Sequence, residues 1–362
     1  MTVKPRVLVG MSGGVDSSLT AALLVRNGYQ VVGGFIKNWS DSKDAWTGEC
    51  QWRGERRDAL RVAAQLGIPL LTFDFEDTYR DKVVGDLFRG YAAGETPNPD
   101  VLCNEAIKFG LFFEEAMKLG MDFVATGHYA VVDRDLQGVA HLWRGLDPDK
   151  DQSYFLYRVP QRVLRQTMFP IGSMHKSEVR ALASEFKLPV ADKPDSQGIC
   201  FIGKLDMQDF LRTRIPPVPG DIVDEQGNVL GQHAGIDGYT IGQRQGIRVS
   251  KGEEAWYVAD KDVGKNRIIV VQGAEHPSLF RREATVKDLH WTRGEAPAQT
   301  FECEVQVRYR QAAIKATATI LSAENGDLLK LTFTEPVKAV APGQSAVLYK
   351  GDECLGGGVI QG

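Results

Sequence analysis

Three features of this 362-residue sequence predict an α/β N-terminal domain with an open parallel sheet, then a small central domain and a C-terminal antiparallel β-barrel. Apolar runs alternate with helix-length segments through the N-terminal half, the signature of strands joined by helical crossovers. A Pro- and Gly-rich breaker follows at residues 215–220. Beyond Pro277 the hydrophobic period switches to two. These marks divide the chain at 1–204, 205–276 and 277–362.

Residues 6–10 are a short apolar run, 12–18 a Gly-rich turn, and 19–26 a helix stopped by Asn27-Gly28. The pattern recurs. Residues 31–36 are apolar, and residues 55–66 carry Ala59, Val62, Ala63 and Leu66 at helical spacing. Gly67-Ile68-Pro69 then leads into the apolar run 70–75. A helix over 78–93 precedes a Pro-stiffened loop at 94–100, and a helix over 104–119 precedes the strand 123–126. Further helices are predicted at 175–186 and 205–214. Central strands are expected at 222–223, 229–230, 239–247 and 255–259. In the last segment Phe301, Cys303, Val305, Val307 and Tyr309 alternate with polar residues, as do Leu329, Leu331 and Phe333.

With 43 Lys+Arg against 47 Asp+Glu the formal charge is −4, so an RNA partner would need a local basic patch. No apolar run reaches membrane-spanning length and no targeting segment is evident, so a cytoplasmic protein is expected. The absence of coiled-coil heptads leaves a monomer as the default. Five scattered cysteines with no C-x-x-C argue against a secreted disulfide framework or a zinc ribbon.

The chemistry begins at Ser12-Gly13-Gly14-Val15-Asp16-Ser17, between the first strand and first helix. Backbone N–H groups and the helix dipole converge there on an anion. The glycines admit close approach, Ser12 and Ser17 can donate hydrogen bonds, and Asp16 could hold the Mg²⁺ of a nucleoside triphosphate. No Lys-[Ser/Thr] follows, so this is not a Walker loop. It resembles the PP-loop of ATP pyrophosphatases (adenine nucleotide alpha hydrolase-like), which implies cleavage of ATP between its α- and β-phosphates and adenylation of an acceptor oxygen. Cys103 falls at the predicted start of the 104–119 helix, where the dipole favours a thiolate, and Cys200 lies in a second polar loop. Two loop cysteines in an adenylating enzyme suggest sulfur transfer. Cys303, Cys354 and Cys50 read as buried structural thiols.

The sequence is similar to bacterial-type tRNA-specific 2-thiouridylases along essentially its whole length. The resemblance rests on Gly10–Ser17, Lys37-Asn38-Trp39, Thr96–Asp100, Cys103-Asn104, Ile107-Lys108-Phe109, Ala125–Tyr129, Asp149–Leu156, Asp195–Phe201 and Tyr239–Arg244. It implies that ATP activates the C2 carbonyl of the wobble uridine and that sulfur replaces the oxygen, releasing AMP and pyrophosphate. In that reading Gly10, Met11, Ser12, Gly13, Gly14, Val15, Asp16 and Ser17 form the ATP loop, with Ile36 (in place of the family's usual Met) and Gly127 also at the nucleotide. Cys200 carries the persulfide, and Cys103 is the nucleophile that resolves it as a Cys103–Cys200 disulfide. Asn98, Pro99 and Asp100 surround the flipped base, with Asp100 as general acid/base. His128, Lys150, Asp151, Gln152, Tyr309, Arg310 and Gln344 contact the tRNA, whose lysine, glutamate and glutamine acceptors are expected. A sulfur-relay protein or cysteine desulfurase is the implied persulfide donor.

Plainer roles compete residue by residue: Asp100 as a helix cap, His128 as a satisfied strand-end histidine, Lys150 and Arg310 on a solvated face. Other chemistries stay open too: a PP-loop ligase using a nitrogen nucleophile, a non-catalytic RNA-binding protein, or an iron–sulfur cluster on Cys103, Cys200 and a further ligand.

Overall fold

The computed structural model describes residues 4–41, 50–195, 207–247, 249, 254–324 and 326–362. The predicted parallel sheet forms from β1 (Arg6–Gly10), β2 (Gln30–Lys37), β3 (Leu70–Asp74), β4 (Phe123–Ala125) and, after the hairpin of β5 (Ala130–Arg134) and β6 (Ala140–Arg144), β7 (Thr167–Met168). Its order is β3-β2-β1-β4-β7, with every pairing parallel. Pleat alternation sends Val7, Val9 and Phe35 to one face, under α1 (Val15–Arg26) and α2 (Gln51–Leu66). Leu8 and Ile36 go to the other face, under the helices between residues 76 and 118. Each fully buried Leu or Phe in these layers contributes about 1.5–3 kcal/mol.

Two helices differ from the expected spans. The 78–93 segment is Glu76–Thr78, a π-helical run Tyr79–Val84, and Gly85–Ala92. The 104–119 helix starts earlier, at Pro99, and runs through Pro99–Cys103, a π-helical stretch Asn104–Leu111, and Phe112–Lys118. Asn98 caps it, its Oδ1 accepting from the N–H groups of Asp100 (3.2 Å) and Val101 (3.3 Å), and Pro99 fills the position where its missing N–H costs nothing.

The central unit is a four-stranded sheet of Gly220–Val223, Val229–His233, Trp256–Asp262 and Arg267–Gln272. The strand expected over 239–247 does not form. Gly242 (φ +84°) and Gly246 (φ +81°) turn the chain there. The C-terminal strands close a six-stranded antiparallel barrel, because Phe280–Trp291 pairs with both Leu328–Lys338 and Glu353–Ile360. The β5–β6 hairpin joins its edge, pairing Glu353 with Trp143 and Cys354 with Leu142. Among the described residues no helix is long and apolar enough to cross a membrane.

Candidate active site

The sheet order reverses between β1 and β4, so the crevice for a ligand lies at the carboxyl ends of these two strands. The Ser12–Ser17 loop leaves β1 there, and the 126–129 segment leaves β4. They pack directly: a Cβ on Gly127 would sit 2.7 Å from the Asp16 carbonyl carbon and the Ser17 nitrogen. Gly127 is thus a spacer that lets the second segment support the phosphate loop. Gly13 has φ +76°, and a Cβ there would lie 2.3 Å from the Glu55 carbonyl oxygen. Gly14 has neither constraint, its nearest neighbour being Ser12 Oγ at 3.5 Å. Ser17 Oγ accepts from the Ser12 N–H and donates to the Gly14 carbonyl, both at 3.2 Å, which holds the loop in shape. Met11 and Val15 are buried beneath it, Gly10 ends β1, and Ile36 is nearly buried against the opposite helical layer.

Cations converge on this loop from distant parts of the sequence. Lys176 Nζ donates to both oxygens of Asp16 (2.7 and 2.9 Å) and reaches Asp195 at 2.8 Å. Asp195 also takes Lys150 (2.9 Å) and Arg180 (2.8 Å). Burial opposes its ionisation, but hydrogen bonds from Lys176 and Lys150 hold its carboxyl down to about 2. Lys193 spans the Gly13 carbonyl (3.0 Å) and Asp58 (2.7 Å). Tyr129 donates its hydroxyl to Asp16 (2.9 Å), and Gln152 Oε1 accepts from the Tyr129 N–H (3.0 Å). Lys176, Arg180, Lys193 and Tyr129 had no assigned role in the sequence reading. Asp16 is the acidic side chain within the loop, and among the described residues no group of three or more His, Cys, Asp or Glu could hold a metal ion. A magnesium ion here would be held mainly by phosphate oxygens, with Asp16 as protein ligand.

Cys103 is fully buried at the end of the first helical turn, not at the helix start. The Asn98 cap starts the helix ahead of Cys103, and the pull of the helix dipole on a thiolate fades within one turn. Asn98, Pro99 and Asp100 form the first turn itself. The π-helical stretch begins at the next residue, Asn104, a distortion frequent at functional sites. Asn104 Nδ2 donates to the Phe155 carbonyl (3.1 Å) while its Oδ1 is buried with no partner among the described residues. Asn38, directly after β2, is 1% exposed, and neither end of its carboxamide has a partner among the described residues. Cys200 lies outside the described residues. Cys303 and Cys354 are buried in barrel strands, where burial pushes both thiols up to about 12.

The residues expected at RNA divide into two groups. His128 and Asp151 are buried within the fold. Asp151 accepts from the N–H groups of Gly145 (2.9 Å) and Ser153 (3.0 Å) and pairs with Arg144 (3.2 Å). Tyr309 packs against Phe155 with the rings tilted by 49° and their centroids 4.3 Å apart. Arg310 is exposed in the left-handed region (φ 64°) beside Tyr309. Gln344 donates to the Thr96 carbonyl at 2.7 Å.

The tautomer of His128 follows from its partners. Lys108 approaches Nε2 (3.3 Å) and can only donate, so Nδ1 carries the proton and donates to Thr126 Oγ1 (2.7 Å). Burial first, then the Lys108 charge, keeps the imidazole well below its usual pKa of 6.5. The unfolded chain therefore binds a proton near pH 6.5 that the folded chain refuses. This contribution lowers stability as pH falls below 6.5, by up to about 1.4 kcal/mol per pH unit. In NMR the His128 ring resonances are expected to stay flat between about pH 6 and 8; a midpoint inside that range would contradict the assignment.

A parallel sheet with a Gly-rich anion loop at its switch point, lacking the Walker lysine, defines a nucleotide-binding domain of the PP-loop class. Residues 5–204 match the family described as tRNA methyl transferase HUP domain, 208–272 the tRNA methyl transferase PRC-barrel domain, and 281–360 the aminomethyltransferase beta-barrel domain. The tRNA-specific 2-thiouridylase MnmA of Enterococcus faecalis is 46% identical over 360 residues, covering 99% of this chain and 95% of that protein. Those of Cupriavidus metallidurans (48% over 360 residues; 98% and 99%) and Shouchella clausii (47% over 355 residues; 98% and 96%) are equally similar. The chain belongs to the tRNA-specific 2-thiouridylase family.

Proposed function

We propose that this chain is an ATP-dependent tRNA-uridine 2-sulfurtransferase acting on the wobble position. The observation that carries the reading is a phosphate loop at the carboxyl end of β1 that takes Lys176 at Asp16 and Lys193 at Gly13, in the same domain as the helix that Asn98 caps and that bears Asp100 and Cys103. ATP binds with its phosphates on the Ser12–Ser17 amides. Lys176 exchanges Asp16 and Asp195 for phosphate oxygens and, with Lys193, stabilises the departing pyrophosphate. Magnesium held by Asp16 and the nucleotide would add charge neutralisation.

The uridine C2 oxygen attacks the α-phosphorus, and pyrophosphate leaves. This converts a poor leaving group into AMP. The terminal sulfur of a Cys200 persulfide then attacks C2, the C2–O bond breaks and AMP departs. The Cys103 thiolate attacks the Cys200 sulfur, cleaving the remaining S–S bond to free 2-thiouridine and leaving a Cys103–Cys200 disulfide for reduction. Asp100 exchanges protons at the base. The target base must leave its stack to reach this pocket, and the Asn38 carboxamide and the Asn104 Oδ1, without hydrogen-bond partners among the described residues, are polar groups suited to a base edge. Lysine, glutamate and glutamine tRNAs are the proposed substrates, a sulfur-relay protein or cysteine desulfurase the donor, and a cytoplasmic monomer the working form. The test supplies the chain with ATP-Mg²⁺, a cysteine desulfurase with cysteine as the persulfide source, a thiol reductant and unmodified tRNA transcript. The expected products are 2-thiouridine, AMP and pyrophosphate; pyrophosphate without thionucleoside would redirect the reading to another nucleophile.

A further inference from the structure

The loop before the Pro99 helix is held from both other parts of the chain. Lys261 Nζ, on the central strand Trp256–Asp262, donates to the Gly94 carbonyl at 3.0 Å. Val263 packs so close to Gly94 (φ +78°) that a Cβ there would lie 2.5 Å from its Cγ2. Thr240 Oγ1 meets Thr96 Oγ1 at 3.3 Å. From the barrel, the Thr96 N–H donates to the Pro342 carbonyl (2.8 Å), Gln344 Nε2 donates to the Thr96 carbonyl (2.7 Å), and Lys287 pairs with Glu95 (3.1 Å). Thr96 is 9% exposed. Only Pro97 separates this anchored backbone from Asn98, and Pro97 and Pro99 both have fixed φ, so a shift at Thr96 passes to the capped first turn with little slack.

Lys261 directs its partly buried ammonium at a backbone carbonyl. An apolar side chain would fill that space with less desolvation. A donor placed there holds the loop in one position, which is what a base pocket requires.

We propose that Lys261 of the central domain and Gln344 of the barrel are positioning residues for sulfur transfer, setting the Asn98–Cys103 turn through the backbone of residues 94–96. The proposal rests on the thiolation reading above. It makes turnover depend on the docking of both other domains, while ATP binding at Ser12–Ser17 does not.

The test uses the full-length chain and its variants Lys261→Met, Lys261→Arg, Gln344→Leu and the milder Thr240→Val. Thiolation is measured against tRNA concentration, beside ATP affinity and thermal midpoint. Lys261→Met and Gln344→Leu are expected to lower kcat about tenfold each, the effect of a displaced but intact site. ATP affinity and KM for tRNA stay within about twofold. Lys261→Arg recovers most of the rate, and Thr240→Val loses about two- to threefold. An unchanged kcat in Lys261→Met overturns the proposal. So does a rise in KM for tRNA at constant kcat in Gln344→Leu, which makes that residue an RNA contact. If Lys261→Met fails to fold, an unchanged kcat in Thr240→Val overturns it instead. Failure of the wild-type chain to form thionucleoside would sink the thiolation reading itself.

Discussion

Cys103→Ala is expected to lower 2-thiouridine formation by about 10³-fold or more while ATP binding and the fold survive. The thiol is fully buried among Val101, Ile107, Phe109 and Phe112, so alanine keeps an apolar contact and costs about 1 kcal/mol of stability. In the proposed mechanism the chemistry has no such tolerance, because the S–S bond to Cys200 has no other assigned nucleophile. Pyrophosphate release on the first turnover should persist, since adenylation precedes the Cys103 step. Mass analysis of nucleosides and a single-turnover pyrophosphate assay read the two steps separately. Equal loss of both would place Cys103 in the fold of the base pocket and not in sulfur transfer.

Gly13→Ala and Gly14→Ala are expected to behave differently although the residues are adjacent. At position 13 a methyl group meets φ +76° and a carbonyl oxygen 2.3 Å away, so the loop must move. The left-handed conformation alone costs about 1–2 kcal/mol. A displacement of about 1 Å in the phosphate cradle is worth about 100-fold in rate. At position 14 the backbone is extended (φ −94°) and the space is ordinary, so the free protein accepts alanine with its thermal midpoint unchanged. Any loss of ATP affinity in Gly14→Ala then reports the nucleotide's own approach to that Cα. Thermal melts and ATP titration of the pair separate a glycine required by the fold from one required by the ligand.

What the sequence revealed follows how local each feature is. The phosphate loop sits between an apolar run and a helix only a few residues away, and the sheet order around it follows from the strand–helix alternation. The capped start at Asn98-Pro99 carried its own signal, an Asn before a proline, but the apolar periodicity of 104–119 outweighed it and moved Cys103 to a helix start it does not occupy. The cationic ring was invisible for a different reason. Lys176 and Lys193 lie 160 and 180 residues from Asp16 and Gly13, and only the packing of the Lys176–Glu185 helix on α1 brings them together. The same holds for Lys261 and Gly94, 167 residues apart. His128 and Asp151 stand inside motifs shared with the family, and their burial depends on neighbours such as Phe109, Phe169 and Arg144 that a linear reading does not place.

Adenylation of the uridine C2 oxygen is the step on which the rest of the proposed reaction depends, and an oxygen label follows it directly. A tRNA transcript carrying ¹⁸O at C2 of the wobble uridine would be turned over with unlabelled ATP, and the AMP weighed. The account predicts one ¹⁸O atom in the AMP phosphate for each 2-thiouridine formed. Label recovered in water or pyrophosphate, with thionucleoside still produced, would contradict it.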